Sequence, residues 1–237
     1  MSLLSLVTSF CERTNLTAPA SVAGTTDPQI KQIRSLLEEE GNDLSSRGAW
    51  QGITFEATLT TVATESQGAM TTIASNGFRY IKNQTIWDRT TKRPVLGPID
   101  AQEWQALKAV VITGPRHQFR IRGGLLLVNP VPTAGYNWRF EYVSQNWILG
   151  ANLTTYKQYF TLDTDTILLP ETLVLQGLRW RWKKEKGFEY AEDMRTYEMQ
   201  VKDAMGRDGG KPILHMDGGM REPQPGVFVP VGSWAIP

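Results

Sequence analysis

From Pro170 to Lys186 the chain reads PETLVLQGLRWRWKKEK, and whether this run is strand or helix decides what surrounds it. As a strand, the Arg-Trp-Arg-Trp alternation would set Trp180 and Trp182 on one face as a stacking platform for nucleic acid, with Arg179 and Arg181 on the other. As a helix, at ~100° per residue, Val174, Leu175, Leu178 and Trp182 share one stripe, and Trp180 lies nearly opposite, near Leu173. Pro170 and Glu171 suit a first helical turn, and the length exceeds that of an ordinary strand. The helix is the better reading. Its cations gather in the last turns, where they complement the helix dipole. A helix with an apolar stripe and a tryptophan on a second face packs on both sides, which makes Trp180 a candidate for a subunit or partner interface.

Working outward, Gly187 interrupts this helix, and helical character resumes from Phe188 to Met205, with Tyr190, Met194, Tyr197 and Val201 on one face. Upstream, Asp27-Pro28 is a strong helix start, followed at helical spacing by Ile30, Ile33 and Leu37. The Glu38-Glu39-Glu40 run reads as its solvated side. Asp100-Ala-Gln-Glu103 is a capping box before Trp104, Leu107, Val110 and Val111. Leu3, Val7 and Phe10 give a short first helix. The expected helices therefore lie near 3–12, 27–47, 99–112 and 170–205.

Between them the period shifts towards two. ITFEATLTTVA, MTTIA and FRYI within Trp50–Ile86, then HQFRIR, LLLVNPV, YNWRFEYVS and YKQYFTL, read as strands separated by Gly, Pro, Asn and Ser. The fold class is α+β: a helical bundle with an inserted antiparallel β-rich region, about 113–165, in a domain of residues 1–206. Residues 207–237 are different, with six Gly and five Pro in 31 positions, too many for a helix or central strand. This extended tail still carries Val227, Phe228, Val229 and Trp234, which suit it to lie against its own domain or a neighbouring chain.

Composition excludes several function classes. Lys and Arg number 25 against 24 Asp and Glu, so net charge gives no global attraction to DNA or an anionic membrane. The single cysteine, Cys11, allows no intramolecular disulfide, which fits a reducing cytoplasm. His117 and His215 stand far apart and show no metal-ligand spacing, so no metal and no cofactor are expected. Met1–Cys11 is a poor signal peptide, and no run approaches the ~18 apolar residues of a membrane span. Asn15, Asn83 and Asn152 match the glycosylation triplet by spacing only.

Catalytic motifs fail on inspection. Gly210-Lys211 lacks the upstream glycine and the following Ser or Thr of a phosphate loop. His117 has no neighbouring nucleophile and reads as structural. Asp163-Thr-Asp165 resembles a calcium-loop fragment without its glycine and distal glutamate, and reads as a turn. A carboxylate-pair hydrolase using Asp163 and Asp165 is the weakest of the functional alternatives. A glycan- or receptor-binding module using Tyr136, Trp138, Tyr142 and Trp147 is the stronger, although aromatic residues at strand spacing usually pack sheets.

Three segments together carry a resemblance: GFRYIKNQTIWDRTTKRPVLGPIDAQEWQALKA (77–109), RGGLLLVNPVPTAGYNWRFEYVSQNWIL (122–149) and DTDTILLPETLVLQGLRWRWKKEKGFEYAED (163–193). They resemble the head-to-tail adaptor, or connector, proteins of short-tailed bacteriophages, over about Leu3 to Gly210. The resemblance implies a helical bundle with a β-rich insertion and a ring of twelve copies between the portal and the tail nozzle. Such a ring also meets tail fibre proteins, and DNA passes through it without specific binding. It implies a non-enzymatic virion protein, assembled in the host cytoplasm with no membrane contact. It also implies a C-terminal extension reaching the portal, which makes Val227, Phe228, Val229 and Trp234 candidate portal contacts.

Overall fold

The computed structural model describes residues 1–109 and 116–209. Helix α1 (Leu3–Thr14) is opened by Ser2, whose hydroxyl accepts the Ser5 amide, and closed by Asn15 in the left-handed region. Helix α2 (Pro28–Arg47) begins as its sequence demands: Asp27 Oδ1 accepts from the Gln29 amide at 2.8 Å and Pro28 presets the first turn. Leu3, Leu6, Val7 and Phe10 from α1, and Ile30, Ile33, Leu37 and Leu44 from α2, are buried in one core.

The chain then turns to strands. β1 (Thr54–Thr60) and β2 (Ser66–Ala69) precede a single turn, α3 (Met70–Ile73). β3 (Tyr80–Ile81), β4 (Trp87–Asp88) and β5 (Arg93–Pro94) are short, and α4 (Ala101–Ala109) follows. Asp100 Oδ1 accepts the Glu103 amide at 2.7 Å, so the capping signal is realised on the carboxylate side. Beyond residues 110–115 come β6 (Gln118–Arg122), β7 (Leu125–Asn129), β8 (Asn137–Val143), β9 (Ile148–Leu149), β10 (Tyr156–Lys157) and β11 (Thr166–Ile167).

β8 organises the largest sheet. β1 pairs with it antiparallel from Thr54 opposite Val143 to Thr60 opposite Asn137, β3 and β4 share its other edge, and β5 extends from β4. Its alternation sends Trp138, Phe140 and Tyr142 into a second core with Ile81, Ile86, Val95, Phe119, Leu126 and Val128. The antiparallel sheets β2–β7–β6 and β10–β9–β11 complete an α+β architecture. The two strand-rich segments flanking α4 thus meet in one sheet. Val143 and Trp147, just past the inward triplet of β8, belong to the helical core and join the two.

Helix α5 (Glu171–Glu185) touches α1, α2 and α6 (Ala191–Asp208). It stops at Gly187, φ +74°, where the Phe188 amide donates to Lys183 O and the Gly187 amide to Lys184 O. Those paired bonds, with Phe188 stacked 5.8 Å from Trp182, form a Schellman closure.

Several expectations need correction. MTTIA is the helical turn α3 rather than a strand, and YKQYFTL is strand only at Tyr156–Lys157 before its backbone wraps around Asp165. The interruption expected at Gly187 divides the 170–205 stretch into α5 and α6 and needs no correction. Val110 and Val111 lie outside the described residues. Trp138 and Tyr142 are buried in the sheet core and Trp147 in the helical core, and Tyr136 is half-buried against the sheet core, so the aromatics of the expected glycan platform are packing residues.

Candidate functional site

The chemistry-bearing residues that the fold brings together lie where α2, α5 and α6 meet. Arg181, buried on α5, reaches α2 with its whole guanidinium. Nε donates to Glu40 Oε2 at 2.6 Å, Nη2 to Asp43 at 2.9 Å, and Nη1 to Glu39. From α6, the Tyr197 hydroxyl donates to the other Glu40 oxygen. Arg47 bridges Asp43 and Glu198, with its guanidinium carbon 5.5 Å from the Tyr197 ring centre. Space for this comes from Gly177: a Cβ there would lie 2.0 Å from Glu40 Cδ.

Glu40 is therefore not on the solvated side of α2, as its acidic run suggested; it is 0% exposed. Burial pushes its carboxyl above the ordinary carboxylate value, against the opposing pull of Arg181 and Tyr197. Burial, followed by the adjacent Glu40 charge, also raises the Tyr197 phenol. With both carboxylate oxygens engaged and no exposed surface, Glu40 ties three helices together and presents nothing to a substrate. Sequence reading missed this cluster, although a glycine inside a strongly apolar helix was a usable sign of close approach.

Trp180, expected at an interface, is 7% exposed in the isolated chain. It lies 6.4 Å from Tyr190 and 6.3 Å from Tyr197 between ring centres, under the Arg181 guanidinium at 4.6 Å. Its second face is covered by α6 of the same chain, which leaves little of the indole for the interface expected of it. Trp182, on the other side, meets Phe10 of α1 edge-on at 5.9 Å. Val227, Phe228, Val229 and Trp234 lie outside the described residues.

Asp163 and Asp165 are engaged in separate loop ties. Asp163 accepts from the Ser21 hydroxyl and the Val22 and Ala23 amides, fastening its loop to the α1–α2 connection. Asp165, fully buried, accepts from the Thr161 and Leu162 amides and from Lys157 Nζ at 2.9 Å. The pair reads as turn chemistry and not as a hydrolytic dyad. Burial pushes both carboxyls up, but their hydrogen bonds outweigh it and hold each below the ordinary value. A depressed folded-state value contributes stability that is complete above the unfolded value of about 3.9 and lost as pH falls through the folded one. The stability gap between the parent chain and Asp165→Asn is accordingly expected to be widest near pH 6–7 and to close at lower pH. Urea titrations across that range measure it.

His117 is held by Nδ1 at 2.9 Å from Pro130 O, with its ring 5.5 Å from Trp138. Among the described residues, no group of three or more His, Cys, Asp or Glu is arranged to hold a metal ion, and no helix is long and apolar enough to cross a membrane. No protein-family model matches the chain, and no curated protein matches it.

Proposed function

We propose that the chain is a structural virion protein of the head-to-tail adaptor type. In this reading it is a helical bundle with an inserted β region, assembled as a ring, twelve copies in the resembled family, between portal and tail nozzle. The genome passes through the centre. The carrying observation is the layout: α1 and α2 from the start of the chain pack with α5 and α6 from the end of the described part, and the strands of all three sheets lie between α2 and α5. The segment resemblance independently implies that arrangement. The principal chemistry-bearing cluster joins helices, which suits a part that transmits load.

In this proposal the extended tail after Gly209 reaches the portal through Val227, Phe228, Val229 and Trp234. A chain ending at Gly210 is expected to keep its circular dichroism spectrum and melting temperature while losing portal-ring binding at least tenfold. Biolayer interferometry against purified portal rings reads this directly, and undiminished binding would overturn the tail assignment. Electron microscopy of the full chain mixed with portal tests the ring itself. Discrete rings stacked on the portal are expected.

A further inference from the structure

Net charge near zero conceals a local separation. Between Arg79 and Arg122 the chain carries nine Lys and Arg against three Asp and Glu. Two of those acids are committed to backbone: Asp88, 1% exposed, accepts the Thr90 and Thr91 amides, and Asp100 caps α4. Lys82, Arg89 and Lys108 are paired with Glu141, Glu56 and Glu65, and Arg79 donates to Ser45. Lys92, Arg93, Arg116, Arg120 and Arg122 form no ion pair among the described residues.

Three of the five lie on β6 or directly before it. Arg120 and Arg122 alternate on β6 with Phe119, which faces the core, and Arg116 precedes them at the same parity. Arg116 and Arg122 are exposed and Arg120 is half-buried. Leu96 bridges Gln118 in parallel register, its amide donating to His117 O at 3.0 Å, so the segment that follows β5 runs beside the start of β6. Same-face positions on a strand repeat at ~6.8 Å, so Arg120 and Arg122, with Arg116 just before the strand, present closely spaced positive charge that is complementary to a polyanion such as a nucleic-acid backbone.

We infer that the β6 face is a contact surface for the phosphate backbone of duplex nucleic acid, without base readout. The inference deepens the conduit reading and rests on it for biological meaning, but not for its test. The basic run on α5 is a poor rival: Arg181 is spent on Glu39, Glu40 and Asp43, Arg179 and Lys183 on Asp193, and Lys186 on Gln32.

The test uses the full chain and a fluorescein-labelled duplex of about 24 base pairs, a length chosen to span several helical phosphates on each strand. Fluorescence anisotropy is followed from low to physiological salt. Binding at low salt is expected to weaken steeply with added salt and to be equal for A·T-rich and G·C-rich duplexes. Combined Arg116→Gln, Arg120→Gln and Arg122→Gln should weaken it at least tenfold and flatten the log–log salt slope by about 2–3. Arg122→Gln alone, at the exposed end of β6, should flatten it by about 1, which protects the test against misfolding of the triple variant. Lys184→Gln with Lys202→Gln should leave binding unchanged. Absence of salt-dependent binding by the parent chain, or parental binding by both β6 variants, overturns the inference. So does competition by polyglutamate as effective as unlabelled duplex at equal charge, which would assign the strip to an acidic protein. Because no portal is present, loss of the ring reading and loss of this inference are separate outcomes.

Discussion

Arg181→Met is expected to lower the stability of the folded chain by about 3–5 kcal/mol, because it leaves the Glu40 carboxyl buried without its guanidinium partner, to remain an unpaired charge or take up a proton. Glu39 and Asp43 lose the same partner, but both reach solvent and are re-solvated at little cost. Tyr197→Phe removes only one donor to Glu40 and should cost about 1–3 kcal/mol. The informative variant is Glu40→Leu combined with Arg181→Met, which deletes the buried pair together. If the clamp serves specificity more than stability, the double variant should recover most of what the single one lost. Urea unfolding of the parent, Arg181→Met, Glu40→Leu and the double variant gives the coupling, and a double variant no more stable than Arg181→Met would show that the ion pair itself is strongly stabilising.

Trp147→Ala is expected to cost about 3–5 kcal/mol, the usual range for emptying a large aromatic site. The indole is fully buried, packs edge-on against Phe160 at 5.3 Å and donates to Asn42 at 2.9 Å. It also occupies the space that a side chain at Gly41 would need, since a Cβ there would fall 2.2 Å from its ring. Gly41→Ala should therefore destabilise the parent chain by roughly 1–3 kcal/mol through overpacking. With Trp147→Ala already present, the same change should stabilise by up to about 1 kcal/mol, the ordinary helix preference for alanine over glycine. A substitution whose sign reverses with its neighbour is the expected signature. Equal effects in both backgrounds would sink the steric account.

Local signals were legible where the physics is local. Asp27-Pro28, Asp100 and Gly187 mark helix ends because a cap bonds to its own first or last turn. The alternation of Trp138, Phe140 and Tyr142 shows one face of β8 because side chains alternate on every strand. Its partner was not legible: β1 lies some eighty positions upstream, and nothing in either segment encodes the register alone. Glu40 fails for the same reason, since Arg181 is 141 residues away. Its neighbour Glu39, with a side chain 59% exposed, behaves as the acidic run suggested. Helical phase separated Trp180 from Trp182 correctly, but a wheel drawn for one helix does not count its neighbours. With α1, α2 and α6 all against α5, the second face of the helix meets its own chain. The unpaired arginines of β6 escaped notice because total charge averages over the chain.

Placing α5 at the centre of the helical core has a consequence during synthesis. Leu44 and Trp50 are made early, yet the surface they pack against includes Leu173, Val174 and Leu178, more than a hundred residues later. At roughly 5–20 residues per second, α1 and α2 emerge from the ribosome on the order of ten seconds before their seat exists. The nascent chain therefore holds an open apolar surface through translation of the whole β region. Ribosome-bound intermediates stalled before Pro170 should be the species that chaperones capture, and release from them should coincide with emergence of α5.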